Sequence, residues 1–208
     1  MADSASSSFF YGTLMHPEIL KRVIKNDASH LQIAPAILLE HTRHKVKNAD
    51  YPGVVPYPEG QSLFDRELTL EERSVRGTLV TGLTSGDMKF LDYFEGAEYT
   101  RRNILVHPLG SFIDVAAYTI SDDKSLVPAS PPPLPPASEL LPAVQAQTYI
   151  YNNLDYLEAH LWSFDDFVRK NAWKWYGPGA SDGDPEDTEV DRRNASGTTS
   201  PVEAAVST

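Results

Sequence analysis

The sequence contains no cysteine, which excludes disulfide staples, thiolate zinc sites, iron–sulfur clusters and a cysteine nucleophile. No apolar run approaches the roughly 20 residues that a membrane-spanning helix needs. The first residues, Met1 to Ser8, lack the basic and apolar regions of a secretory leader. Basic residues are also scarce: 18 Lys and Arg stand against 29 Asp and Glu, a formal charge of -11. Nucleic-acid binders carry a basic stripe, so no nucleic-acid partner is expected, and no membrane partner either. A cytoplasmic location is the expectation. The chain has 208 residues, 41% of them hydrophobic, which suffices for one domain with appendages.

Two segments stand apart in composition. Residues 121–142 hold seven prolines, at 128, 131, 132, 133, 135, 136 and 142. Proline fixes φ and removes the N–H, so this stretch reads as a polyproline-type insert that joins no ladder and continues no helix. From Gly177 the tail carries seven acids against Arg192 and Arg193, and it cannot offset its ordering entropy by burial. The domain is therefore placed at 8–176, with disordered tails at 1–7 and 177–208.

Within the domain, Phe9-Phe10-Tyr11 reads as a short buried strand ended by Gly12. Pro17 opens a helix whose apolar face is Ile19, Leu20, Val23 and Ile24. Ile33 to Leu39, Val75 to Leu83 and residues 149–151 read as strands. The alternation around Arg102, Ile104 and Val106, followed by Pro108-Leu109-Gly110, suggests a hairpin into residues 112–120. Phe164, Phe167 and Val168 suggest a last amphipathic helix. Strands dominate without regular alternation with helices, which favours an α+β fold, a small mostly antiparallel sheet or barrel with peripheral helices.

The most informative helix is Thr84 to Glu95. Thr84 serves as N-cap, Asp87 as its capping-box partner, and Gly96 as the stop. At about 100° per residue, Glu95 falls inside the apolar arc, between Leu91 and Met88. It also sits in the last turn, where the helix carbonyls disfavour negative charge by ~0.3–1 kcal/mol. Partial burial and the dipole both push its pKa upward, toward the range of a general base or acid near neutral pH. The competing reading is a tie between Glu95 and Arg101 or Arg102 that fastens the helix to the next strand.

A second feature is Tyr11-Gly12-Thr13-Leu14, a strand–glycine–helix passage able to present backbone N–H groups to an anion. By itself it is unspecific. The 50–54 stretch reads as a rigid turn that borders the pocket or connects strands, and Tyr99, Tyr149 and Tyr151 as core or rim packing. His41 and His44 lie on a strand, where three-residue spacing sends their rings to opposite faces, so no metal site is assigned there.

Taken together, FFYGTLMHPEIL, then YPGVVP, then VRGTLVTGLTSGDMKFLDYFEGAEYTRR resemble the gamma-glutamylcyclotransferase-like family, in its plant and fungal avirulence-induced-gene-two-like branch. The resemblance spans most of Phe9 to His107 and resumes at 147–151 and 162–164. It implies a small mixed β-barrel with outer helices and a cavity at one mouth. It also implies cofactor-free cyclisation of a gamma-glutamyl amine or peptide to 5-oxoproline and a free amine. On this resemblance Glu95 is the general acid/base, and Tyr11, Gly12, Thr13 and Leu14 form the substrate loop; neither metal nor cofactor is required. The rival reading is a non-catalytic ligand- or partner-binding module on the same fold, recruiting its partner through 131–136.

Overall fold

The computed structural model describes residues 5–49, 51–117 and 131–162. The expected last helix around Phe164 and the acidic tail lie outside these residues. The described strands are β1 (Ser6–Phe10), β2 (Gln32–Leu39), β3 (His41–Val46), β4 (Pro52–Pro56), β5 (Ser74–Leu83), β6 (Tyr99–Pro108), β7 (Ile113–Asp114), β8 (Val144–Tyr151) and β9 (Leu157–Leu161). The α-helices are α1 (Pro17–Ile24), α2 (Tyr57–Gly60) and α3 (Ser85–Glu95).

Five strands close a barrel in the order β5-β1-β8-β6-β2, with β2 pairing back onto β5 and β7 adding to β2. Every barrel contact is antiparallel except β1 with β8, which meet in parallel at Ser8 and Gln147. The fold is thus the expected α+β type, a mixed and mostly antiparallel barrel with helices outside. A second sheet, β4-β3-β9, stands beside it.

Alternation along the strands divides the apolar residues between two cores. Phe9, Ala36, Leu38, Val75, Leu79, Val106, Ala146 and Ile150 form one cluster, drawn from the barrel strands together with Val54 of β4. Phe10, Ile33, Val80 and Tyr149 turn the other way and pack with Leu20 and Val23 of α1 and Leu91 and Phe94 of α3. One residue step in β1 therefore separates a barrel side chain from one beneath the helices.

Three expectations need correction. Among the described residues, 99–108 do not form a hairpin with 112–117: β6 pairs with β8, Tyr99 opposite Tyr151 through Val106 opposite Val144, while Ile113 and Asp114 pair with β2. Local alternation shows a strand but not its partner, and here the partner lies beyond the proline insert. Of the 50–54 stretch, read as a turn bordering the pocket or connecting strands, Pro52 to Val54 instead begin β4, whose prolines are tolerated because it is an edge strand. Ser6 and Ser7, placed in the N-terminal tail by composition, pair with Leu83 and Thr81.

The described part of the insert lies against the barrel. The Leu134 N–H donates to Glu71 (2.9 Å), Arg76 donates to the Pro132 carbonyl (2.8 Å), and His107 Nδ1 meets the Leu141 carbonyl (2.8 Å). No helix among the described residues is long and apolar enough to cross a membrane.

Candidate active site

The site is built where β1 ends and α3 ends. Beyond Phe10 the chain leaves the barrel through Tyr11 and Gly12 and turns into a short 3-10 segment, Thr13–Met15. The Met15 N–H donates to the Gly12 carbonyl and the His16 N–H to that of Thr13. The first N–H groups of such a turn have no acceptor within it. Gly12 is required by proximity: a Cβ there would stand 2.9 Å from Pro52 Cγ. Pro17 then begins α1 at its first turn, as the sequence indicates.

Helix α3 is held firmly at its start. Thr84 and Asp87 form a reciprocal capping box, each side chain accepting from the other's backbone N–H at 2.9–3.1 Å. Asp87 also accepts from Asn26 and His30, each at 2.8 Å, so the helix is fastened to the α1–β2 connection. Its buried face is Met88, Leu91 and Phe94, whereas Phe90, placed in the apolar arc by periodicity, is exposed beneath the Lys25 ammonium. The helix stops at Gly96 with φ 64°, a conformation that suits glycine. Glu95 is its last residue and is half-buried.

The two features meet. Glu95 lines one pocket with Tyr11, Gly12, Thr13 and Leu14, together with Tyr51, Pro52, Phe94, Tyr99 and Tyr149. All five residues singled out in the sequence are thus brought together, across more than 80 positions of chain. Of the two guanidinium groups that follow the helix, Arg101 meets Asp92 at 3.4 Å and Arg102 meets Glu59 at 3.1 Å.

The pocket wall is aromatic, and its hydroxyls face structural acceptors. Tyr11 donates to the Tyr149 carbonyl, Tyr149 to Asp92 (2.9 Å), Tyr99 to the Pro52 carbonyl (2.9 Å) and Tyr51 to Glu98 (2.9 Å). Burial, and next the negative charge of Glu95, hold the Tyr11 and Tyr149 phenols well above their ordinary pKa. Both therefore stay protonated at neutral pH. Tyr151 sits behind the wall, edge-on to Tyr99 with ring centres 5.2 Å apart.

One residue that touches the loop from outside the pocket was not singled out by sequence. Arg43 on β3 donates to the Tyr11 carbonyl at 2.8 Å and to the Arg76 carbonyl at 3.1 Å. In the sequence it is one cation among the charges of HTRHKVK; only the pairing of β3 beside the barrel reveals its target. His41 and His44 are used locally: His41 Nδ1 meets the Leu39 carbonyl, and His44 meets Thr42 and the Glu158 carbonyl. Among the described residues no three His, Asp or Glu side chains converge as a metal site.

A closed mixed barrel, with a carboxylate and a glycine loop lining one pocket, is the class of fold and site that the structure defines. The family follows from the sequence match: the chain belongs to the gamma-glutamyl cyclotransferase, AIG2-like family, whose model matches residues 8–138. Among curated relatives from Arabidopsis thaliana, AIG2-like protein C is 28% identical over 103 residues, 50% of this chain and 51% of the relative. AIG2-like protein D is 28% identical over 100 residues, 48% and 55% of the two chains. The chain thus spans about half the length of the curated relatives it matches. The solution structure of an Arabidopsis thaliana protein aligns at TM-score 0.49 with 18% identity, covering 84% of this chain and 81% of that one. A yeast gamma-glutamyl cyclotransferase specific to glutathione aligns at TM-score 0.49 with 14% identity, covering 96% and 89%.

Proposed function

We propose that the protein is a gamma-glutamyl cyclotransferase that converts a gamma-glutamyl amine or peptide into 5-oxoproline and a free amine, with Glu95 as general acid/base. The observation that carries this reading is the shared pocket of Glu95 and the 11–14 loop; membership of the family supports it.

The chemistry is intramolecular. The substrate's own α-amine is the nucleophile, so the protein needs neither a nucleophilic side chain nor an activated water. The amine arrives as an ammonium ion; Glu95 accepts a proton from it, and the free amine attacks the γ-carbonyl carbon. The new C–N bond closes a five-membered lactam and the original γ-amide C–N bond breaks. The proton held by Glu95 passes to the departing nitrogen, and the second proton, which the ring nitrogen sheds as the lactam forms, leaves with the amine in its ammonium form, so no atom is gained or lost overall. Well-oriented ring closure of this kind can supply ~7–11 kcal/mol of barrier reduction, provided the chain is held curled. The tyrosine-lined wall supplies the shape, and the loop N–H groups at Gly12, Thr13 and Leu14 supply donors for the substrate's anionic end.

The test is incubation with a panel of gamma-glutamyl amides and peptides, with both products quantified by mass spectrometry. Equimolar 5-oxoproline and amine are expected from at least one member. Glutamate plus amine would identify a hydrolase in the same pocket, and ligand binding without product would identify a binding module.

A further inference from the structure

We infer that Arg43 is a positioning residue for this site: its guanidinium fixes and polarises the Tyr11–Gly12 peptide so that the Gly12 N–H serves as a donor to the substrate's α-carboxylate. The inference rests on the cyclotransferase reading and adds to it a residue on another strand and a defined task.

The argument begins with where the charge lies. Along β3, Thr42, His44 and Val46 are buried on one face, and Arg43 is on the other, half-buried as a residue but with its Nε shielded from solvent. Its Nη1 hydrogen bonds go to main-chain carbonyls, those of Tyr11 and Arg76, and its Nε makes none among the described residues. The Trp162 ring covers the guanidinium at 5.0 Å, a cation–π contact that further screens it from water. Burial lowers its pKa to about 10, so it keeps its charge at neutral pH. A sequestered cation aimed at a carbonyl is costly to maintain unless the carbonyl's placement matters.

What that carbonyl controls is the next N–H. The peptide between Tyr11 and Gly12 is trans, as are the others described, and in a trans peptide C=O and N–H point in opposite directions. A bond from behind to the Tyr11 oxygen therefore turns the Gly12 N–H away from Arg43. Gly12 lines the pocket and Arg43 does not, so the inference places the N–H on the pocket side of the peptide. A charged donor on the carbonyl also withdraws electron density across the amide, making its N–H a stronger donor. Pro52 stands where a Cβ on Gly12 would point, so the loop runs close beside β4 at this position.

The test compares two ligands that differ only in the carboxylate, 5-oxoproline and 2-pyrrolidinone, by calorimetry on wild type, Arg43→Met and Arg43→Lys, with turnover of a gamma-glutamyl amide measured alongside. Wild type should prefer 5-oxoproline. In Arg43→Met that preference should fall at least tenfold, with KM raised more than kcat is lowered, and Arg43→Lys should recover part of it. A purely architectural role would weaken both ligands alike and leave the ratio unchanged, which overturns the inference. Should Arg43→Met fail to fold, Arg43→Lys decides: a loss of three- to tenfold in the ratio supports the inference, and an unchanged ratio rejects it. Wild-type protein that turns over no gamma-glutamyl substrate and does not bind 5-oxoproline would instead remove the cyclotransferase reading itself.

Discussion

Helix α3 carries two inward-leaning carboxylates, eight residues apart, in different surroundings. Asp87 at its start is buried and filled: Thr84 N–H, Thr84 hydroxyl, Asn26 and His30 all donate to it within 2.9 Å. Glu95 at the other end is half-buried and borders open space. Sequence periodicity sees both only as acids near an apolar face. What separates them is the surroundings. Asp87, saturated with donors, is a tie between elements, whereas the proposed task of Glu95 is to exchange a proton with a ligand in the pocket it lines.

The comparison can be broken at either end. The largest effect is expected from Glu95→Gln, which keeps size and removes the base: 5-oxoproline formation should fall by roughly 10²–10⁴-fold, with the melting temperature nearly unchanged. Turnover within threefold of wild type would move the acid–base role elsewhere. Asp87→Ala should do the reverse. It leaves four donors without their acceptor and removes half of the capping box, a cost of about 2–4 kcal/mol in denaturant unfolding. Turnover per folded molecule should change little.

The smallest effect sharpens the electrostatic side. Burial holds His16 down at about 4 and also lowers His41 and His44, while the donors around Asp87 keep its carboxyl below the usual range. A histidine with a lowered folded pKa binds its proton more readily when unfolded. Its contribution is complete above about 6.5 and is lost as pH falls toward the folded value. Asp87 adds a further loss below about pH 4, as its carboxyl is protonated. Stability should thus be level from pH 8 to 6.5. It should then decline toward pH 4 by up to about 1.4 kcal/mol per unit for His16. Denaturant midpoints measured across this range check it, and His16→Asn should flatten the slope.

Much of this was legible in the chain. Strand β1 with its glycine exit, Pro17 opening α1, and α3 with both caps could be read because each depends on neighbours a few residues away. The site pairing came from motif resemblance, since no local rule joins Tyr11 to Glu95. What escaped was long-range. The union of β6 with β8 across the insert, the separate β4-β3-β9 sheet and the reach of Arg43 to the Tyr11 carbonyl depend on strand register, which local sequence does not encode. Phe90 shows the same limit on a smaller scale: periodicity gives a helix face, but the width of the buried stripe is set by what packs on it.

The most direct measurement takes Glu95→Gln and Asp87→Ala side by side, recording 5-oxoproline release and thermal unfolding on the same preparations. Glu95→Gln should lose product while melting with wild type, and Asp87→Ala should melt early while its folded fraction still forms product. The contradicting outcome is a Glu95→Gln protein that cyclises gamma-glutamyl substrate at the wild-type rate.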